Sequence, residues 1–551
     1  MVYSVTYSYF GEGSQMTKGN EIFDYIIVGG GSAGCVLAAK LSADPLVKVL
    51  LLEAGKSDSN PLIHVPAGFA KLTAGPYQWG YVSEPQKYAQ DRKIPLAQGK
   101  VLGGGGSINA QVYTRGARED YDRWVSEFGC TGWGSETMLN YFKISEDNER
   151  LSGKYHSRGG PLGVSDLVNP HELTQAFVAS GQEMGLPYNS DFNGESQFGV
   201  GYYQTTTRNG KRCSASVAYL HPVLHRKNLV VRTKVIVSRI IIEKKIAVGV
   251  SVINGKLLEN YNATREVIIA AGAFGSPKLM QLSGIGDPTD LHKAGIKVEN
   301  ALPGVGKNLQ DHCDLDIIYS INQKISMDRM DSVSPFTVNA GLEYLLYKRG
   351  PLASTVVEGG MFSFSDSKEK TPDLQFHFLP AAGVESGVAG TKKGFGVTLN
   401  VYYLRPKSRG TVRIASADPR EAPLIDPNYL SEDKDLELSV EGLRQMREVM
   451  SQPSISKYVT KEHLANGATL NSKDSYIKFV RENGRTSYHP VGTCAMGSHE
   501  GSVVSPELKV HGIGNLRVAD SSVMPEIVSS NTQAPTIAIA ERAADLILGS
   551  V

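Results

Sequence analysis

The most informative part of the sequence reads FDYIIVGGGSAGCVLAAKLSADPLVKVLLLEAG and spans residues 23–55. Phe23 to Val28 is a nearly continuous apolar run, which is typical of a buried parallel strand. Three glycines follow, then a segment of helical composition, and then a second apolar run that ends in Glu53. This order of strand, glycine turn, helix, strand and acid predicts a Rossmann-like α/β nucleotide-binding domain.

Each glycine of the turn has a physical role. Gly29, Gly31 and Gly34 follow the pattern G-x-G-x-x-G, in which the first permits a tight turn, the second lets a pyrophosphate approach, and the third lets the helix pack on the strand. The helix that begins near Ser32 and Ala33 offers free N–H groups to phosphates. Glu53 lies 24 positions after Gly29, near the spacing expected of an acid that binds ribose hydroxyls. The motif alone does not separate NAD from FAD.

Length and composition limit the function classes. The chain has 551 residues and a net charge of +1, which argues against a nucleic-acid-binding protein that relies on a strong basic field. Its five cysteines show no metal-ligand spacing, so we expect no metal site. Residues 1–20 are polar and are expected to form a flexible extension. No apolar run approaches a membrane span, so we expect a cytoplasmic protein and leave peripheral membrane association and oligomeric state open.

Further segments carry glycines or isolated polar residues. GKVLGGGGSINAQVYTRG spans residues 99–116, and VIIAAGAFGSPKLMQLSGIG spans residues 267–286. Near the C-terminus, His489 lies in SYHPVGT, a short predicted strand ends in Asp520, and Asn531 lies in SSNTQAPT. Such a histidine, taken alone, is more often structural than catalytic, and such an asparagine is more often a helix cap or turn residue.

In their order along the chain, these segments resemble the glucose–methanol–choline (GMC) oxidoreductases, a family of FAD-dependent alcohol oxidases and dehydrogenases. The resemblance extends from Phe23 to the C-terminus, and residues 99–116 and 272–286 are similar to the two family signatures. The segments PLIHVPAGFAKLTAGPYQW, PYNSDFNGESQFG, LRPKSRGTVRI and GRTSYHP further resemble the subgroup of FAD-type L-sorbose dehydrogenases.

The resemblance implies roles for two residues in alcohol oxidation. His489 matches the position of the general base, which takes the hydroxyl proton while the carbon gives a hydride to flavin N5. Asn531 matches the position of a group that orients the substrate oxygen. An amide cannot take the proton, so the role of base falls on His489 alone.

The same resemblance implies a set of cofactor contacts. The residues expected to contact FAD are Gly29, Gly31, Ser32, Ala33, Gly34 and Glu53 at the ADP half, Val101, Gly106 and Asn109 at the pyrophosphate and isoalloxazine side, Val237 at the adenine, Trp79 near the cofactor, Asp520 at the flavin chain, and Asn531 and Thr532 at the ring. Trp79 could equally be a core residue. In relatives with covalent flavin, a histidine precedes the position of Asn109; here that position is Ile108, so we expect non-covalent FAD.

The expected architecture has two domains. The FAD-binding domain would comprise residues 21–64, 96–130, 225–312 and 495–551, and a substrate domain would comprise residues 155–224 and 313–494. Strand-like segments such as DLQFHFLP and GVTLNVYYLRP predict that the substrate domain contains a mostly antiparallel sheet backed by helices. Glu358 and Tyr488 are candidates for the substrate pocket, although Glu358 is equally consistent with a salt-bridged or surface residue.

The expected function is an FAD-dependent dehydrogenase. Its substrate would be a primary alcohol of a sugar or polyol, as in L-sorbose to L-sorbosone, and electrons would pass to a quinone or other acceptor. Two alternatives stay open. One is an oxidase or choline-type dehydrogenase of the same family, acting on aryl, furan or choline alcohols. The other is a non-redox lyase of the hydroxynitrile type on the same fold.

Overall fold

The computed structural model describes residues 21–331, 334–383 and 394–550, and all structural statements concern these ranges. The expected extension at residues 1–20 lies outside them. The described chain forms two large sheets with helices packed on both, which is the two-domain α/β fold predicted from the sequence.

The first large sheet contains the two strands predicted within residues 23–55. Strand Glu21–Val28 lies between Val49–Glu53 and Leu257–Ile269 and runs parallel to both. Their central residues, including Ile26, Ile27, Leu50 and Leu51, are fully buried, as the continuous apolar runs predict. The sheet is completed by Leu229–Thr233 and Leu516–Val518, which add parallel pairs, and by Ile236–Glu243 and Ile246–Asn254, which pair antiparallel.

Helices cover this sheet. Ser32–Leu41 follows the glycine turn and packs against the last helix, Gln533–Leu548, which in turn packs against Ser135–Ser145. Gly272–Leu282 follows strand Leu257–Ile269 in the same way that Ser32–Leu41 follows the first strand. The remaining helix of this group is Arg118–Phe128.

The second large sheet is antiparallel at every described strand pair. Its strands, in spatial order, are Val459–His463, Cys313–Ile321, Gly396–Tyr403, Leu374–Leu379, Gly359–Ser363 and Gly199–Tyr202, and Arg485–Thr486 also pairs with Cys313–Ile321. The helices that pack near it are Glu172–Glu183, Asp433–Met450, Pro453–Ser456 and Lys473–Asn483. All these strands fall within residues 155–224 and 313–494, while the domain boundaries themselves stay a prediction.

The described chain also contains two-stranded ladders, helices and single turns outside the two large sheets. Two-stranded ladders join Tyr81–Val82 to Pro95–Leu96, Glu146–Asn148 to Leu162–Val164, Thr207–Arg208 to Lys211–Arg212, Ile285–Gly286 to Asn300–Ala301, and Thr411–Arg413 to Leu424–Asp426. Three further α-helices are short, Pro61–His64, Phe69–Leu72 and Pro288–Lys293, and a longer one is Pro335–Tyr347. Single 3₁₀ or π turns occupy Pro66–Gly68, Lys87–Ala89, Gly104–Ser107, Ser216–Leu220, His221–Val223, Met327–Asp331, Pro351–Ala353, Ala465–Gly467 and Ser521–Val523.

Three further features concern possible partners. Within the described ranges, no helix has the length and apolar character needed to cross a bilayer. The same residues contain no cluster of three or more histidine, cysteine, aspartate or glutamate side chains suited to a metal ion. All five cysteines are buried and unbridged.

Candidate active site

A cavity lined by residues of both sheets extends from the glycine turn to His489. One end lies at Gly29, Gly31 and Glu53, where parallel strands of the first sheet end. The other end is lined by His377, Asn400 and His489 from the second sheet and the segment after it. A ligand at the carboxyl ends of parallel strands is the usual arrangement in open α/β sheets.

The glycine turn has the geometry that the motif predicts. Gly29 adopts a φ of +108°, a conformation that side chains disfavour. A Cβ on Gly34 would lie 1.8 Å from the Gly29 carbonyl oxygen, so only glycine lets helix and strand approach this closely. Gly31 is the N-cap of the helix and supplies no side-chain cap, which leaves the first N–H groups, at Ser32 and Ala33, beside the cavity.

Glu53 is held at the end of its strand by backbone donors. Gly30 N donates to one carboxylate oxygen at 2.8 Å and Gly55 N donates to the other at 2.6 Å. Burial raises the pKa of Glu53 to about 7, and the two backbone N–H groups oppose that rise. Val237 lines the cavity on the same side, so both residues lie where the ADP half was expected.

The second glycine segment forms the facing wall. Gly106 lies so close to the last helix that a Cβ on it would be 2.5 Å from Gln533 Nε2. The Asn109 amide donates to Gln533 Oε1, and its own Oδ1 accepts from Arg212 Nη1 at 2.9 Å. Ile108 also lines the cavity and carries no atom that could form a bond to flavin.

Val101 is a correction to the expected cofactor set. The structure does not place it on the cavity wall. Its side chain is fully buried in a small apolar cluster with Ile63, Leu72 and Ile108. At this point the chain forms a parallel bridge with Lys56.

The remaining expected cofactor residues line the cavity, except Gly34, which lies behind the wall where the helix meets the strand. Trp79 stacks on Tyr81 with ring centroids 5.6 Å apart, and Lys100 lies over its ring. Asp520 accepts hydrogen bonds from Gly272 N at 2.9 Å and from Ser276 Oγ at 2.5 Å, and so fixes the turn before the helix Gly272–Leu282. Thr532 is the N-cap residue of the last helix.

His489 is positioned through its backbone. Its N–H donates to Asp311 Oδ1 at 2.8 Å, and the preceding Tyr488 adopts a φ of +64° while its own N–H donates to Thr486 Oγ1. Thr486 Oγ1 donates to the other oxygen of Asp311 at 2.6 Å. These bonds hold the unusual turn that directs the imidazole into the cavity.

Hydrogen bonding fixes the tautomer of His489. His312 Nε2 lies 3.0 Å from the Leu404 carbonyl oxygen, which can only accept, so this nitrogen carries the proton. Burial lowers the pKa of His312 to about 3, so the ring is neutral and its Nδ1 is an acceptor. His489 Nδ1 lies 3.0 Å from that atom and therefore donates. The remaining nitrogen of a neutral His489, Nε2, is left with a lone pair.

Asn531 leads independently to the same assignment. Its Oδ1 accepts from Thr114 Oγ1 at 2.9 Å and from Gln375 Nε2 at 3.1 Å. The amide nitrogen must then point the other way, and it lies 3.1 Å from His489 Nε2. An amide N–H donates, so His489 Nε2 accepts.

Burial keeps His489 neutral. It lowers the pKa of His489 well below its ordinary value, and the nearby His312 and His377 lower it further. The pKa of His377 also falls, to about 3, for the same reason. At neutral pH the cavity therefore holds an imidazole that can accept a proton, beside an amide that can donate a hydrogen bond.

Glu358 is the second correction. Its side chain is only 2% exposed and does not line the cavity. One carboxylate oxygen accepts from His171 N and Thr174 Oγ1, and the other accepts from Ser354 Oγ at 2.7 Å. The group anchors the start of the helix Glu172–Glu183 instead. Tyr488, the other substrate candidate, does line the cavity.

Comparison with known proteins decides the family. Models of the GMC oxidoreductases match residues 23–314 and 406–540. The chain is 42% identical over 534 residues, 96% of each chain, to an alcohol dehydrogenase [acceptor] of Pseudomonas putida. It is 40% identical to an oxygen-dependent choline dehydrogenase of Photobacterium profundum, over 96% of this chain and 94% of that one. A solved structure of Aspergillus oryzae formate oxidase, which concerns FAD modification, superposes with a TM-score of 0.91 and 28% identity over 97% and 99% of the chains.

The chain belongs to the GMC oxidoreductase family. This GMC oxidoreductase is thus an FAD flavoenzyme that acts on CH–OH donors, as the sequence predicted. Those two relatives are an alcohol dehydrogenase and a choline dehydrogenase. The resemblance is therefore confirmed at the level of the family and is not confirmed for the L-sorbose subgroup.

The cavity of the GMC oxidoreductase fits FAD on structural grounds. Within the described ranges, Gln533 Nε2 is buried at the cavity wall without a hydrogen-bond partner. A Cβ built on Gly105 or Gly272 would meet no atom within 4 Å, and both residues line the cavity. An unsatisfied donor and bare backbone on facing walls are what a large polar cofactor requires.

Several residues of the site were not singled out from the sequence. They are His312, His377, Asp311, Gln375 and Thr114. Gln375 and His377 alternate along one strand and so share a face, which was a usable signal in DLQFHFLP. Asp311 and His312 had no local signal, because their partners Thr486 and His489 lie 175 and 177 positions away.

Proposed function

We propose that this enzyme is an FAD-dependent dehydrogenase that oxidises a primary alcohol of a sugar or polyol, of the L-sorbose to L-sorbosone type. Electrons pass from the flavin to a quinone or similar acceptor. The observation that carries the proposal is the pair His489 and Asn531, whose Nε2 and Nδ2 atoms lie 3.1 Å apart in the cavity. A base and a hydrogen-bond donor side by side are suited to an alcohol oxygen that must lose its proton.

In the proposed mechanism each residue has one task. The substrate hydroxyl donates to His489 Nε2 and accepts a hydrogen bond from the Asn531 amide. His489 takes the proton, and bound FAD supplies the hydride acceptor at flavin N5. His312 Nδ1 continues to accept from His489 Nδ1, which stabilises the imidazolium. A general base of this kind contributes about 10²–10⁴-fold to the rate.

The residues that would hold FAD follow from the cavity walls. Gly29, Gly31, Ser32, Ala33 and Glu53 would hold the ADP half with Val237 beside the adenine, and Gly106, Asn109, Asp520, Asn531 and Thr532 would hold the flavin half, with Trp79 on the cavity wall. Gly34 would act behind the wall, by letting the helix pack closely on the strand. Ile108 supports non-covalent attachment, because an aliphatic side chain offers no nucleophile to the flavin.

Hydrogen-bonding groups on the cavity wall support a hydroxylated substrate. The uncharged polar side chains that line the cavity include Asn400, His377 and Tyr488. Asp314 also lines the cavity, and it shares the Arg485 guanidinium with Asp316. Two carboxylates with one guanidinium give this part of the wall no preference for a neutral substrate over choline.

Anaerobic mixing with a panel of alcohols tests the proposal. We expect L-sorbose to bleach the visible flavin absorbance rapidly. Bleaching by choline or benzyl alcohol, without bleaching by L-sorbose, would retain alcohol oxidation and reject the sugar. No bleaching by any alcohol would reject the function and favour the lyase. Peroxide formed per turnover in air separates an oxidase from a dehydrogenase.

A further inference from the structure

The helix Pro335–Tyr347 turns its apolar side chains outward. Val338, Leu342, Leu345 and Leu346 are 53%, 51%, 68% and 70% exposed. At about 100° per residue they fall within an arc of roughly 100° on one face of the helix. The residues that this helix buries are Ala340 and Tyr344, on another face.

This arrangement differs from the scattered apolar exposure of an ordinary surface. Five of the fifteen large apolar side chains that are exposed in the described ranges belong to this one helix, the fifth being Tyr347. Single exposed apolar residues need no explanation, whereas a contiguous group marks an interaction site. We call the exposed side chains of Val338, Leu342, Leu345 and Leu346 the apolar face.

Basic residues border the apolar face. Lys348 and Arg349 follow the helix directly, and Lys348 Nζ donates to the carbonyl oxygens of Tyr344 and Leu345 at the helix end. The hairpin turn that carries the exposed Lys211 lies beside them, because Gly210 packs against Lys348. Glu343 is the acidic residue of the helix, so this edge is locally basic in a chain whose net charge is only +1.

We propose that the apolar face docks on the surface of a bilayer that contains anionic lipids. Amphipathic helices bind such surfaces by burying leucine-rich faces about 5–10 Å deep while adjacent lysines and arginines meet the headgroups. A second copy of the chain fits the face less well. One side of a 13-residue helix offers roughly 200 Å², and a stable protein interface needs about 800 Å² per partner.

The location of the apolar face gives docking a consequence for the enzyme. The Tyr344 hydroxyl lies 3.4 Å from the His64 carbonyl oxygen, at the end of the short helix Pro61–His64. The chain then continues to Phe69, which lines the cavity. A docked enzyme would hold this side of the cavity wall near the lipid, where an apolar quinone is dissolved. The docking itself does not depend on the proposed function.

Co-sedimentation of the flavin-containing enzyme with vesicles tests the proposal. The vesicles are phosphatidylcholine alone or phosphatidylcholine mixed with phosphatidylglycerol. We expect binding to the mixed vesicles and at least a tenfold loss of partitioning in the variant Leu345→Ser/Leu346→Ser. The matched control is Leu46→Ser/Leu224→Ser, which removes two leucines that are 85% and 50% exposed elsewhere.

The outcomes are distinct. Activity with a soluble dye acceptor should be the same in all three proteins, since none of these leucines lines the cavity. Equal partitioning of the two double variants, or no binding of the original chain to either vesicle, would overturn the proposal. If sedimentation velocity instead shows a dimer that Leu345→Ser/Leu346→Ser dissociates, the apolar face is a contact between subunits and the proposal is wrong.

Discussion

His312 and His489 meet through their Nδ1 atoms, 3.0 Å apart, and the Leu404 carbonyl oxygen behind His312 decides which of the two donates. The carbonyl requires a proton on His312 Nε2, so His489 must donate and must present an unprotonated Nε2 to the cavity. A backbone carbonyl just after the strand Gly396–Tyr403 thereby determines which nitrogen of the proposed base is free to react.

Replacement of His312 should impair proton transfer without emptying the flavin site. In His312→Leu, the buried Nδ1–H of His489 loses its acceptor, at a cost of about 1–3 kcal/mol, so we expect flavin reduction to slow about 10- to 100-fold. In His312→Asn, the amide oxygen can take the place of Nδ1 and should restore part of the rate. Rapid-mixing absorbance measures both, with the exposed His292→Asn as control. Equal rates in the Leu and Asn variants would contradict the positioning role.

Acid should destabilise the fold below about pH 6.5. Burial lowers the pKa of His377 to about 3, whereas an unfolded histidine titrates near ~6.5. Between these values the unfolded chain binds a proton that the folded chain does not, so the free energy of unfolding falls by up to about 1.4 kcal/mol per pH unit. His312 acts in the same direction, whereas Asp311 and Glu53, whose pKa values burial raises to about 6 and about 7, act in the opposite one.

Denaturant unfolding between pH 4 and 7 measures this pH dependence of the unfolding free energy. We expect His377→Gln to reduce the slope of unfolding free energy against pH by about 1.4 kcal/mol per unit, because it removes one such histidine. His292→Gln, at an exposed position, should leave the slope unchanged. A slope that is identical in the original chain and in His377→Gln would show that His377 is not kept neutral by the fold.

The flavin should leave the protein when the chain is denatured in acid. Ile108 occupies the position at which covalent relatives carry a histidine, and it has no nucleophilic atom. Acid precipitation should therefore give a colourless pellet and a supernatant that contains all the FAD. Yellow colour retained on the washed pellet would reveal a covalent bond at another residue.

Glu358 should affect stability rather than substrate affinity. Glu358→Gln turns one of the two acceptor oxygens into a donor, so either the His171 N–H and Thr174 hydroxyl or the Ser354 hydroxyl loses its acceptor, which costs about 1–3 kcal/mol of unfolding free energy. The Michaelis constant for the alcohol should stay unchanged, since the carboxylate does not line the cavity. Steady-state kinetics and denaturant unfolding measure the two quantities. A raised Michaelis constant with unchanged stability would return Glu358 to the substrate pocket.

The nucleotide half of the fold could be predicted because its signals are local. The strand, glycine turn, helix and second strand all fall within residues 23–55, and the close approach of Gly34 to Gly29 needs only five positions of sequence. The antiparallel second sheet was also predictable, from strand-like runs such as residues 374–379. In both cases the sequence pattern that predicts the structure lies within a single strand or helix, or extends only to the next one along the chain.

The rest of the site depends on contacts between distant parts of the chain. His312 reaches His489 across 177 positions and Gln375 reaches Asn531 across 156, and no local pattern pairs them. Glu358 was left open between the pocket and a salt-bridged or surface position, and its partner Thr174, 184 positions away, gave no local sign of the buried anchor that it forms. Val101 was expected at the cofactor, but its side chain packs in an apolar cluster that no local pattern showed. The family resemblance supplied His489 and Asn531 but not the groups that orient them.

Single-turnover flavin reduction shows whether His489 is the base. The flavin-containing enzyme and its His489→Ala variant would be mixed anaerobically with L-sorbose across a range of pH. We expect the variant to retain FAD and to reduce it about 10²–10⁴-fold more slowly. We also expect the loss to shrink as the pH rises, because hydroxide can replace the missing base. A variant that reduces its flavin as fast as the original enzyme at neutral pH would contradict the assignment of His489 as the base.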